Sequence, residues 1–180
     1  MYRLVVLVVA VMLSLLSSFG FAALGGLAQE GSPMAGEMPS VAVAFAEAWS
    51  SGDPDQVAAI YAEDALYEEV ILGGAVTTNR DDLRAYVGAV FAGFPDFTAT
   101  PVAAYQMGDV VVVEWVLTGT YQGTFGTLPP GTGQPVEVRL ASVLEVGSDG
   151  LITRDSEYWD LTTLLSQVGA MPGAEATPAA

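Results

Sequence analysis

Few side chains in this sequence can do acid–base or nucleophilic chemistry, and most of those are carboxylates. Histidine and cysteine are absent. Their absence removes the usual proton acceptor near neutral pH, the commonest transition-metal ligand and any thiolate nucleophile. Two carboxylates, Asp155 and Glu157, stand late in the chain within a strand-like run from Leu151 to Trp159. Two residues apart on an extended strand, they share one face. Paired carboxyls in unlike surroundings can divide into an acid and a base. A carboxyl facing an apolar pocket has its charged form desolvated, which raises its pKa toward useful proton transfer. The competing reading is a solvated Glu157 on an outward face, or one paired with Arg139 or Arg154. For Asp155, surface charge is the reading adopted.

Other polar groups are weighed in the same way. Glu114 interrupts an apolar strand and is either a second inward carboxylate or a wet edge residue. Arg139 is either an orienting cation for an anionic intermediate or, as preferred, an ion-pair partner of Glu137 or Glu157. Trp49, Tyr67 and Trp115 are candidate pocket walls, with Trp115 assigned to the core. Asp160 is either a cavity residue or, preferably, the cap of a closing helix. Gly73-Gly74 and Gly131-Thr132-Gly133 lack the strand–turn–helix setting of a phosphate loop. Without histidine no Ser-His-Asp triad is available, and no metal or cofactor site is expected.

These groups need elements to hold them. Ser40 is expected to cap a first helix carrying Val41, Phe45, Ala48 and Trp49 on one apolar face. Ser51-Gly52 ends it. Asp53 and Pro54 start a second helix, whose buried side is expected to hold Val57, Ile60 and Tyr61. A third begins near Asn79, with Asp81 and Asp82 at its positive end and a stripe of Leu83, Tyr86, Val87, Val90 and Phe91. Strands follow: Phe97 to Gln106, Val110 to Tyr121, Pro135 to Val146 and Leu151 to Trp159, then a short helix from Leu161 to Val168. The Val110 strand is apolar on both faces and so is expected to be central. Helices first and hairpin-linked strands afterwards define an α+β fold, with a strongly bent, mostly antiparallel sheet closing over the N-terminal helices.

The 180 residues suit one domain with tails. Residues 1–28 read as a secretory signal peptide: Arg3, an apolar run from Leu4 to Leu16, and small residues at Gly26 and Ala28. An uncleaved anchor is the alternative. Either way the folded part is expected outside the cytoplasm. Residues 29–39 read as a flexible linker, 40–168 as the domain and 169–180 as a disordered tail. Twenty-one acidic residues against five arginines leave a net charge of −16. That balance argues against nucleic acid and against docking on anionic lipid.

Several pieces carry a resemblance. They are Ala48-Trp49-Ser50-Ser51-Gly52-Asp53, Tyr61-Ala62-Glu63-Asp64-Ala65, Phe94-Pro95-Asp96 and Gly119-Thr120-Tyr121-Gln122-Gly123. Leu128-Pro129-Pro130-Gly131-Thr132-Gly133, Asp149-Gly150-Leu151-Ile152, Tyr158-Trp159-Asp160 and Leu164-Leu165-Ser166-Gln167-Val168-Gly169 follow in order. The chain thereby resembles the SnoaL-like polyketide cyclase, or ester cyclase, branch of the NTF2-like superfamily. The resemblance implies a cone-shaped α+β barrel around an apolar cavity for a small molecule, often a homodimer through the outer sheet face. It also implies cofactor-free acid–base chemistry, with Glu157 where the family places its catalytic carboxylate. Trp49 falls where the cyclases place an aromatic residue near the substrate. The family's second catalytic position, a histidine, aligns with Ser142, which cannot accept a proton near neutral pH. Three readings follow: an isomerase, cyclase or hydrolase; a non-catalytic ligand binder; or a dimerisation module whose cavity is plugged by side chains such as Trp49, Trp115 and Phe125.

Overall fold

A computed structural model describes residues 37–171. The segment read as a signal peptide, most of that read as a linker and most of that read as a tail therefore lie outside the described residues. Four helices and six strands follow in the order α1 (Ser40–Trp49), α2 (Pro54–Ala59), β1 (Tyr61–Glu69), β2 (Gly74–Thr77), α3 (Arg80–Gly93), β3 (Thr98–Met107), β4 (Val110–Tyr121), β5 (Gln134–Val146), β6 (Ile152–Trp159) and α4 (Leu161–Gln167). The strands form one curved open sheet in the order β2-β1-β6-β5-β4-β3. Every neighbouring pair is antiparallel except β1 and β6, which run parallel. This is the expected α+β architecture, with β4 interior to the sheet as its two-sided apolarity requires.

The helix starts follow capping chemistry in three cases. Asp53 accepts from the Asp55 backbone N–H at 2.9 Å, Asn79 from Asp82 at 2.9 Å and Asp160 from Thr162 at 2.8 Å. Ser40 does not cap: it is the first residue of α1, and Pro39 precedes it with no side-chain bond.

The larger correction concerns Tyr61. The second helix stops at Ala59, and Tyr61 opens β1, a strand read from the sequence as a helix end. Its neighbour explains why. The Ile152 N–H donates to the Ile60 carbonyl at 3.0 Å, so β6 captures the chain as it leaves α2. From Ala65 onward β1 alternates, with Ala65, Tyr67 and Glu69 buried and Glu68 on the opposite face.

The inner face of the sheet and the helices enclose one core. Phe45 of α1 stacks on Trp115 of β4 at 4.6 Å and on Trp49 at 5.6 Å. From α3, Leu83, Val87, Val90 and Phe91 are buried. The loop between β4 and β5 is tied to the end of α3, because Gln122 N–H and Gly123 N–H both donate to the Gly93 carbonyl. At Gly123 the backbones approach so closely that a β-carbon would overlap the Ala92 carbonyl oxygen. Only glycine fits there. Gly123→Ala is therefore expected to cost about 1–3 kcal/mol, seen as a lower urea midpoint. An unchanged midpoint would show that the loop simply moves aside.

Candidate functional site

The curved sheet and α3 leave a hollow of about 90 Å3. At roughly 10–15 Å3 for each water it has room for several. Aromatic rings dominate its wall: Phe45, Trp49, Tyr67, Tyr86, Phe94, Phe97, Phe125 and Trp159. Two carboxylates break this apolar lining, Glu157 from β6 and Glu69 from β1. Parallel pairing of β1 with β6 sets Glu69 opposite Glu157 and Tyr67 opposite Asp155. All four side chains thus converge on the inner face.

Hydrogen bonds in the cluster come from tyrosines. Tyr67 Oη donates to Glu157 Oε2 at 2.8 Å, and Tyr61 Oη donates to Asp155 Oδ2 at 2.7 Å. Tyr86, reaching from α3, donates to Glu69 Oε1, and the Tyr67 hydroxyl lies 3.4 Å from the same oxygen. Asp155 Oδ1 and Glu69 Oε2 are buried without hydrogen-bond partners. No arginine lines the hollow.

Such surroundings disfavour charge. Burial, then the neighbouring charges of Asp155 and Glu69, push Glu157 well above the usual carboxylate range, against the Tyr67 hydrogen bond. Burial pushes Asp155 up to about 7, against its bond from Tyr61. Burial also raises Glu69, while the hydroxyls of Tyr86 and Tyr67 favour its charged form. Tyr61 and Tyr67 are themselves raised well above their ordinary value, first by burial and then by adjacent carboxylates. They therefore stay protonated and remain donors.

Glu157 stands at the cavity wall, 6% exposed. Asp155 is not surface charge. It is fully buried behind the wall on the same face as Glu157, because the period of the strand carries both inward. Trp49 and Tyr67 line the hollow. Trp115 and Ser142 do not: the Trp115 indole N–H donates to Ser142 Oγ at 3.1 Å, both buried beside the hollow. Ser142 nevertheless pairs across the sheet with Glu157. Glu114 and Arg139 face outward and flank a shallow groove on the outer face of the sheet with Val102 and Tyr158. Among the described residues Arg139 forms no ion pair, so the expected bond to Glu137 or Glu157 is absent. Arg154 is engaged by Glu68, at 2.6 Å, on the outer face. Asp160 is exposed and holds the start of α4 through Thr162 N–H and Thr163 Oγ1.

Sequence reasoning missed Glu69, Tyr61 and Tyr86 as parts of this cluster. The signal for Glu69 was the alternation Ala65, Tyr67, Glu69. It becomes visible only once β1 is taken as a strand.

The fold is NTF2-like, that of ketosteroid isomerase-like proteins. Residues 42–155 match the model of the SnoaL-like domain, and the chain belongs to that family. Among solved structures it is similar to a protein of ketosteroid isomerase-like fold from Catenulispora acidiphila, solved in complex with trimethylamine. The identity is 26%, the TM-score 0.64, and the match covers 75% of this chain and 96% of that one. It is also similar to IdmH from Streptomyces antibioticus, a provisionally assigned polyketide cyclase, with 29% identity, TM-score 0.61 and coverage of 72% and 96%. A similarly assigned cyclase from Xanthomonas campestris shares 25% identity, with TM-score 0.63 and coverage of 71% and 93%. Among curated proteins there is no match.

The raised Asp155 links protonation to stability. An unfolded aspartate titrates near ~4, whereas the folded one holds its proton up to about 7. Between these values the native state binds more protons, so stability falls as pH rises. Each tenfold change in the acid constant is worth about 1.4 kcal/mol. The melting temperature is expected to drop from pH 4.5 to pH 8, and Asp155→Asn should flatten that slope. An equal slope in the variant would exclude Asp155 as its source.

Proposed function

We propose that the protein binds a small, largely apolar molecule in the hollow and moves a proton on it without a cofactor, Glu157 acting as the acid–base group. The observation that carries this reading is a buried carboxyl at the wall of an aromatic cavity, held by one tyrosine hydroxyl and no cation. With a raised pKa, such a group is poised to accept and return protons at moderate pH. In the simplest step the Glu157 carboxylate takes a proton from carbon next to a substrate carbonyl. The C–H electron pair shifts into a C=C bond and the carbonyl π pair moves onto oxygen, giving an enolate. Where the substrate is a β,γ-unsaturated ketone the product is a dienolate. Return of the proton to its γ-carbon, with the double bond moving into conjugation, completes an isomerisation. Where a second carbonyl lies in the same molecule, attack of the enolate α-carbon on its carbon moves that π pair onto oxygen. That oxygen takes the proton from Glu157, which completes a ring closure.

Three other residues have supporting roles in this proposal. Tyr67 fixes the Glu157 carboxyl. Asp155, one strand period away, raises the affinity of Glu157 for its proton through its charge. Trp49 Nε1 is a buried N–H that meets no acceptor at hydrogen-bonding geometry, the Tyr61 hydroxyl on which it acts weakly lying outside it, and Trp49 lines the hollow. It is the donor we assign to a substrate oxygen. The trimethylamine complex of the similar C. acidiphila protein supports small-molecule binding in this fold.

The same reading places the protein outside the cytoplasm, on the strength of its apolar N-terminal segment. It also allows a homodimer through the sheet, supported by the exposed Val102 and Tyr158 on its outer groove. The non-catalytic alternative shares the cavity and differs only in turnover.

Proton transfer is tested with simple ketones in D2O. The protein should accelerate exchange of protons next to the carbonyl, followed by NMR, and Glu157→Gln should lower that rate by about 10²-fold or more. Exchange that survives the substitution unchanged would reject the role of Glu157.

A further inference from the structure

Glu69 is left over by this mechanism. It is 4% exposed, it lines the hollow, and its Oε2 has no hydrogen-bond partner. The Trp159 indole lies outside hydrogen-bonding geometry and is the weakest of the influences on this carboxyl. Yet Glu69 is the carboxyl approached by two tyrosine hydroxyls, those of Tyr86 and Tyr67, both of which favour its charge. A neutral apolar ligand would leave Oε2 buried and unanswered, a standing cost in a dry interior. Water could answer it, but only by wetting an aromatic hollow.

The rings around Glu69 point to a different occupant. Tyr67 and Tyr86 meet at 5.4 Å and 43°, Tyr86 and Phe125 at 6.1 Å, Trp49 and Tyr67 at 6.2 Å, and Trp49 and Phe97 at 5.8 Å. A wall of aromatic rings, an unmet carboxylate oxygen and no lining arginine together suit a positive charge. Among the described residues no three acidic side chains converge closely enough to hold a metal ion. The matching charge must therefore be spread over a larger, greasy group. A compact alkylammonium head fits those demands and a hollow of about 90 Å3.

We propose that the molecule bound in this hollow carries an alkylammonium group, caged by Trp49, Tyr67, Tyr86 and Phe125 with its charge against Glu69. This deepens the reading of the hollow as a small-molecule site and rests on it. The acidic chain, with net charge −16, would draw such cations toward the opening. Binding must also respond to pH. The titratable groups facing Glu69 are Tyr67 on its own strand, Glu157 and Asp155 across β6, and Tyr86 on α3. The tyrosines keep their protons, so the cation competes only with protons on the carboxyls and displaces them as it binds.

The test compares choline with 3,3-dimethylbutan-1-ol, its neutral carbon counterpart of the same shape, by titration calorimetry on the full chain. At pH 8 choline should bind at least tenfold more tightly than the alcohol, and the preference should shrink at pH 5. Glu69→Gln should weaken choline at least tenfold while leaving the alcohol within twofold, which also shows that the variant is folded. Equal affinity of the two probes at pH 8, or choline binding indifferent to Glu69→Gln, overturns the cation proposal and leaves the cavity reading standing. Binding of neither probe overturns both.

Discussion

The site depends on carboxyl groups being kept in an apolar interior by tyrosine hydroxyls instead of cations. A buried carboxylate paired with arginine is stabilised in its charged form and loses the capacity to exchange protons near neutral pH. A phenol hydroxyl satisfies the same oxygen without supplying a full charge, so the carboxyl can take either protonation state. The two faces of one strand pair show the difference. On the outer face Arg154 and Ser156 hold Glu68, which lies below the usual carboxylate range. On the inner face, one residue along β1 and within the same pairing, Glu69, Asp155 and Glu157 all lie above it. Alternation along β1 and β6 thus separates a structural ion pair from a buried cluster of carboxyls whose charged forms are disfavoured.

That constraint explains the arrangement of the elements. β1 must run parallel beside β6, because only this pairing brings Tyr67 to Glu157 and Tyr61 to Asp155. α3 must cross the open side of the sheet so that Tyr86 reaches Glu69. The β4–β5 loop must close on the end of α3, where glycine permits the contact and Phe125 is delivered to the wall. Each of these elements excludes water from the carboxyls, and without that exclusion their protons would be held no differently from those of surface aspartates.

Much of this was legible in the sequence where a local signal coincides with a structural need. Asp53, Asn79 and Asp160 lie at helix starts and cap them. The β-branched run Val110–Tyr121 became an interior strand. β1 was not legible, because four acidic residues in nine oppose strand propensity and Val57, Ile60 and Tyr61 keep a helical period. What decides the matter is β6, about ninety residues away, whose backbone receives the chain at Ile60. Asp155 failed for a related reason. In a chain with 21 acidic residues, an aspartate reads as surface unless its partner is known, and the partner, Tyr61, keeps the helical period of Val57 and Ile60.

Ser142 is committed to packing and does not face the hollow. At the position where the resemblance expects a histidine, its hydroxyl accepts from Trp115 and stabilises the packing of β4 on β5. The carboxylates of that strand, Glu137 and Glu145, do not line the hollow beside Glu157. On the other side of the same carboxyl, from β1, the Tyr67 hydroxyl holds it. Histidine across the sheet would put a positive charge beside Glu157 whenever it is protonated and would lower the acid's pKa. A serine committed to an indole exerts no such pull, so burial and like charge set the protonation of Glu157. The absence of that cation thereby leaves Glu157 a weaker acid, and its carboxylate a stronger base, than it would be beside a histidine.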